Sequence, residues 1–157
     1  MIYSTATVPV NPENELPLTR AQAWAGPVLK ARDARLFLPP GLCTRCEVVE
    51  EGKDHIVREA AIGGKDLREI IAFEHATKVS FFQASGPREG VIVNELFDDA
   101  DGALRLRFYC YLGLRGKAPG SAEEQAEQAM MDSEQGYRAA LLSTLKRTRE
   151  LLAAGRL

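Results

Sequence analysis

The chain has 157 residues, 45% apolar and 27% charged, a composition that fits neither disorder nor a fibrous repeat. Its length is that of one domain spanning residues 1–157, enough to bury roughly 70% of the surface an unfolded chain exposes. Twenty Lys and Arg against 22 Asp and Glu leave a net charge of -2, without the basic excess that phosphate neutralisation requires, so no nucleic-acid partner is expected.

Met1 to Val10 is rich in Thr, Val and Ile and ends among prolines, which predicts a strand closed by a turn. The segment has no basic region, and no apolar run in the chain approaches the roughly 20 residues a membrane helix needs, so membrane insertion is not expected. Cys43, Cys46 and Cys110 are too few for a disulfide scaffold and imply free thiols in a reducing compartment, which points to the cytoplasm.

Thr19 followed by Gln22 has the spacing of a capping box, and Ala21, Trp24, Ala25, Val28 and Leu29 then recur at helical intervals. Pro27 lies inside this pattern and is expected to kink or split the helix. A short helical turn over Ala34 to Leu38 stops at Pro39-Pro40-Gly41.

Short β-rich runs then alternate with turn residues, predicting six hairpin-linked strands near 42–50, 55–62, 65–74, 78–84, 90–97 and 103–112. Ser121 with Glu124 predicts a second capping box opening one long helix to about Ala154, interrupted at Gly136. Met130, Tyr137, Leu141, Leu145 and Leu152 form its apolar stripe, with Ser133, Thr144 and Thr148 beside it.

Burying that stripe requires the sheet to curl around it, and strand alternation indicates which side faces inward. In the last hairpin Ile92, Asn94 and Leu96 face Leu104, Leu106 and Phe108, with Glu95, Arg105 and Arg107 outward. The two-residue loop Gly63-Gly64 pairs Ile62 with Lys65 and so places Arg58 opposite Glu69, on the face that also carries Ile56, Ala60, Leu67, Ile71 and Phe73.

With this element order, Met1 to Val10, Leu18 to Trp24, Leu36-Phe37-Leu38-Pro39-Pro40-Gly41, Val57-Arg58-Glu59, Val91 to Glu95 and the helix from Tyr137 to Arg149 resemble the START-type, Bet v I-like helix-grip (SRPBCC) superfamily, and within it the AtaL-like group. The resemblance runs along essentially the whole chain. It implies an α+β fold, a seven-stranded antiparallel sheet gripping the final helix around a hydrophobic pocket. Superfamily members bind lipids, sterols, flavonoids or polyketides, and some are aromatases or cyclases, with no catalytic motif common to all.

Two charges facing an apolar interior are costly unless they satisfy each other, so Arg58 with Glu69 is either an orienting pair for a ligand's carboxylate, phenol or carbonyl, or a structural cross-strand ion pair. Asn94, Tyr137 and Gln83 are further inward polar groups, and Trp24, Val48, Phe81, Ile92, Phe108, Met130 and Leu141 are candidate apolar lining. Each reads equally as core. Cys43-Thr44-Arg45-Cys46 has redox spacing but opens a strand, where that interval should send the two sulfurs to opposite faces. His55 and His75 fall in turns without metal-ligand spacing, and no phosphate loop, nucleophile elbow or zincin motif occurs, so neither metal nor cofactor is expected.

These features lead to a carrier or binder of a small hydrophobic or amphipathic molecule, anchored by Arg58, Glu69, Asn94 and Tyr137. Two alternatives stay open. One is a cyclase, aromatase or dehydratase using Glu69 or Tyr137, and the other a homodimer through an outer patch of Val57, Ile70, Tyr109 and Tyr111.

Overall fold

The structure, a computed structural model, describes residues 1–157. Strand β1 (Ile2–Pro9) is followed by helix α1 (Arg20–Arg32) and a 3-10 turn (Ala34–Leu36). Strands β2 (Cys43–Glu51), β3 (His55–Ile62), β4 (Lys65–Glu74), β5 (Lys78–Ser85), β6 (Arg88–Asp98) and β7 (Leu104–Leu114) come next, then α2 (Ala122–Asp132) and α3 (Tyr137–Ala153). The seven strands form one antiparallel sheet in the order β1-β7-β6-β5-β4-β3-β2, so each consecutive pair from β2 to β7 is a hairpin and β1 joins the sheet beside β7.

The capping box at Thr19 forms as the spacing predicts: its side chain accepts from the Gln22 amide, while the Gln22 side chain accepts from the Thr19 amide. Pro27 does not split α1, which runs through it. At Ser121 only half of the expected box forms. Ser121 accepts from the Glu124 amide, but the Glu124 carboxylate turns to the Gly120 amide and the amino terminus of Met1, drawing β1 onto α2. Those contacts hold its carboxyl below the ordinary range.

The single long helix expected from Ser121 is instead two helices, broken over 133–136. A Cβ on Gly136 would lie 2.3 Å from the Met131 carbonyl oxygen, so only glycine lets the chain pass that close. The break resets the helical phase. Met130 is therefore 47% exposed and Met131, at 2%, faces the core beside Cys110, which corrects the expected place of Met130 in the lining. In α3 the buried side is Leu141, Thr144, Leu145, Thr148 and Leu151, with Tyr137 and Leu152 half-buried against the same core.

Helix α1 crosses α3 at Gly26, where an added Cβ would meet Thr148 Oγ1 at 2.0 Å. The main core joins Ile2, Val8 and Phe108 of the β1–β7 side to Trp24 of α1, Leu141 and Leu145 of α3, and Ile71, Val79 and Phe81 of the central strands. A smaller cluster, Ala34, Cys43, Cys46 and Ala60, seals the β2 edge. The pairing of β2 with β3 shifts between Cys43 and Arg45, so a bulge brings both cysteines to the inner side and overturns the expectation of opposite faces.

Candidate ligand-binding site

Strand pairing assigns the inner face directly. Arg58 pairs with Val48 on one side and Glu69 on the other, and Glu69 pairs with Gln83, so these four form one row across β2 to β5. A second row runs Ile56, Ile71, Phe81, Ile92, Cys110, Ser4, and a third Phe73, Val79, Asn94, Phe108, Ala6. The Gly63-Gly64 turn, with both glycines at positive φ, holds Ile62 opposite Lys65 and sets this register.

Arg58 and Glu69 are 4% and 5% exposed. Arg58 Nε donates to Glu69 Oε2 at 3.0 Å and Nη2 donates to the same oxygen, while Gln83 Nε2 donates to Oε1 at 2.8 Å. Arg58 Nη1 donates to the carbonyls of Lys30 and Ala31 at 3.1 and 2.9 Å, tying the last turn of α1 to β3. The guanidinium also lies 5.6 Å from the Phe81 ring centroid. Most of its donors are thus engaged inside the protein, the arrangement a structural pair requires.

Asn94 and Tyr137 differ. Tyr137 stacks on Phe108 with ring centroids 3.5 Å apart and 7° between planes, and Phe108 is the strand partner of Asn94. Neither polar end meets a protein hydrogen-bond partner, and both residues keep solvent-reachable surface on the inner side. Burial pushes the Tyr137 hydroxyl up to about 12, so it stays protonated at neutral pH and acts as a donor. Ile92, Phe73, Val48, Leu67 and Gln83 are likewise half-buried, although outward Val93 is buried. Helix α3 rests on β1 and β7, leaving the inner surface of β4 and β5 at a distance from it.

Of the expected lining, Trp24, Phe81, Phe108 and Leu141 are buried within the main core and Ile92 sits at its margin. Two open clefts of about 480 and 490 Å³ lie elsewhere. One, between the β6–β7 turn and the start of α1, is bordered by Arg20, Asp98 and Leu104, and the other, outside α3, by Val10, Leu145 and Arg149.

Lys30 was not among the residues singled out by sequence. Its side chain is half-buried, its Nζ donates to Thr144 Oγ1 at 2.9 Å, and Thr144 passes the bond to the Ala140 carbonyl at 2.8 Å. Enclosure and the nearby Arg58 lower it from 10.5 to about 8. A signal was present: Lys30 continues the Ala23, Gly26, Pro27 arc at helical spacing, so it had to share the buried side.

Cys43, Cys46 and Cys110 are free and buried. Desolvation raises the Cys43 and Cys110 thiols, which opposes thiolate chemistry. On the outer face Val57 is only 6% exposed, correcting its place in the expected patch, while Ile70, Phe82, Tyr111 and Tyr3 are open. These last four lie in one row with Val57 and Val91.

A family model described as "AtaL: Acetylaranotin biosynthesis cluster protein L" matches residues 4–155. The chain belongs to the AtaL family. No curated protein matches this AtaL-family chain. Among solved structures it is similar to Ara h 8.0201, with 14% identity, a TM-score of 0.64 and coverage of 94% of this chain and 97% of that one. TTHA0849 from Thermus thermophilus matches at 13% identity and TM-score 0.62, covering 98% of this chain and 97% of the other. The Zhui aromatase/cyclase from Streptomyces sp. R1128 matches at 18% identity and TM-score 0.61, covering 99% and 98%. These likenesses establish for the AtaL-family chain the Bet v I-like helix-grip fold that its sequence resembles. No helix in it is long and apolar enough to cross a membrane.

Proposed function

We propose that residues 1–157 act as one cytoplasmic domain that binds a small hydrophobic or amphipathic molecule between the inner sheet face and α3. The observation carrying this reading is the pair Asn94 and Tyr137, both next to Phe108 and both with polar ends that lack protein partners, beside half-buried apolar side chains. Groups so placed favour a ligand that offers them hydrogen bonds. Ile92, Phe81 and Phe108 supply apolar wall, and Arg58, Glu69 and Gln83 form the polar end opposite, with Arg58 and Glu69 chiefly orienting one another. Native mass spectrometry of protein purified from its own source should reveal a retained small molecule that Tyr137→Phe with Asn94→Leu loses. Retention unchanged by both substitutions would overturn the reading.

A second reading, a homodimer, is favoured by the open outer row of Tyr3, Tyr111, Phe82 and Ile70. Sedimentation at several concentrations, with Phe82→Lys as the variant that should keep the chain monomeric, tests it. For an enzymatic role in the same cavity, the protonated Tyr137 suits a hydrogen-bond donor or acid to a carbonyl rather than a base.

A further inference from the structure

Beneath the inner row of the sheet lies a charge imbalance. Arg58 and Glu69 neutralise one another on β3 and β4. Lys30, reaching from α1 toward Thr144 of α3, adds a second cation near Arg58 with no carboxylate within ion-pair distance. The cluster of Lys30, Arg58 and Glu69 therefore carries one uncompensated positive charge. A half-buried charge without a counter-ion is unfavourable, and methionine of similar length would avoid the cost. An ammonium has three N–H donors, and Lys30 uses one, to Thr144. The remaining two point to no protein acceptor. Arg58 cannot take over their task, since Glu69 and the α1 carbonyls engage its fork.

We propose that the ligand of this interior carries one acidic oxygen, a carboxylate, enolate or phenolate, and that the Lys30 ammonium is the group that binds it. This rests on the cavity reading above and narrows it from any hydrophobic molecule to an amphipathic anion. One negative oxygen restores neutrality to the cluster, while the aromatic or aliphatic body lies along Phe81 and Ile92 toward Asn94 and Tyr137. Burial and the Arg58 charge lower the proton affinity of Lys30, and the negative charge of such a ligand would raise it again.

Two fluorescent probes with the same aromatic body separate the ideas: anionic 1-anilinonaphthalene-8-sulfonate and neutral N-phenyl-1-naphthylamine. Wild type should bind both, the anion more tightly. Lys30→Met should weaken the anion by about tenfold or more, the scale of one charge-assisted hydrogen bond, and leave the neutral amine within about twofold. Lys30→Arg should keep the preference, and Lys53→Met, at an exposed turn, should change neither probe. Equal binding of both probes by wild type, or an equal loss of both in Lys30→Met, overturns the role of Lys30 while leaving the cavity intact. Failure of wild type to bind either probe overturns the cavity reading itself. Circular dichroism confirms that each variant is folded.

Discussion

Replacing Lys30 with Met should make the protein more stable near neutral pH. Lys30 has an affinity for its proton near 10.5 when solvated and about 8 in the fold, where enclosure and the Arg58 charge oppose the ammonium. That gap, at about 1.36 kcal/mol per pH unit, corresponds to roughly 3 kcal/mol of destabilisation when Lys30 is charged in both states. Loss of the bond to Thr144 offsets about 1 kcal/mol, because Thr144 retains its bond to the Ala140 carbonyl. The net expectation is about 2 kcal/mol, or about 4–8 °C in Tm for a chain of this size.

The sign follows from proton counting. Below about pH 8 both folded and unfolded lysine are charged and the cost is complete; between 8 and 10.5 the folded form releases its proton first, and the cost fades. The charged groups facing Lys30 are Arg58 on β3 and, through it, Glu69 on β4, while Thr144 of α3 does not titrate. Urea unfolding of wild type and variant at pH 6.5, 8, 9.5 and 10.5 would measure the difference directly. Wild type more stable than Lys30→Met at pH 7, or a difference independent of pH, would refute the account.

Glu69→Gln removes the counter-charge of buried Arg58 and should cost about 3–5 kcal/mol, read as a lower urea midpoint, whereas a loss under about 1 kcal/mol would mean the pair is solvated. Gly26→Ala places a Cβ 2.0 Å from Thr148 Oγ1 and should destabilise by about 1–3 kcal/mol, with part of the loss recovered when Thr148→Ala is added. Thr19→Ala deletes one bond of the capping box and should cost about 1 kcal/mol in the same assay. The three buried thiols should react slowly with a disulfide reagent in the native state and rapidly in denaturant; fast native labelling of Cys43 would contradict its enclosure.

The succession of hairpins from β2 to β7, the register across the Gly63-Gly64 turn and the inner face of those hairpins were legible in the sequence because each depends on near neighbours, whereas the pairing of β1 with β7 joins segments about 100 residues apart. Alternation with a period of two marks the inner positions, and a two-residue glycine turn leaves a single pairing for Arg58 and Glu69. The Thr19 cap is equally local. What the tertiary structure decided lay where one residue's state depends on a distant one or on a single backbone irregularity. The break at 133–136 rotates α2 relative to α3, so Met131 replaces Met130, and the bulge in β2 turns Cys43 and Cys46 to one side. Neither changes the composition of a window, only its phase.

The polar interior divides in the same way. That Arg58 meets Glu69 follows from hairpin register, but that its remaining donors close onto the carbonyls of α1 requires α1 to be packed beneath β3. The isolation of Lys30 is a property of everything around it. No local pattern records that α1, α3 and the sheet bring together two cations and one anion, because electrostatic balance in a core is summed over elements that are far apart in the chain.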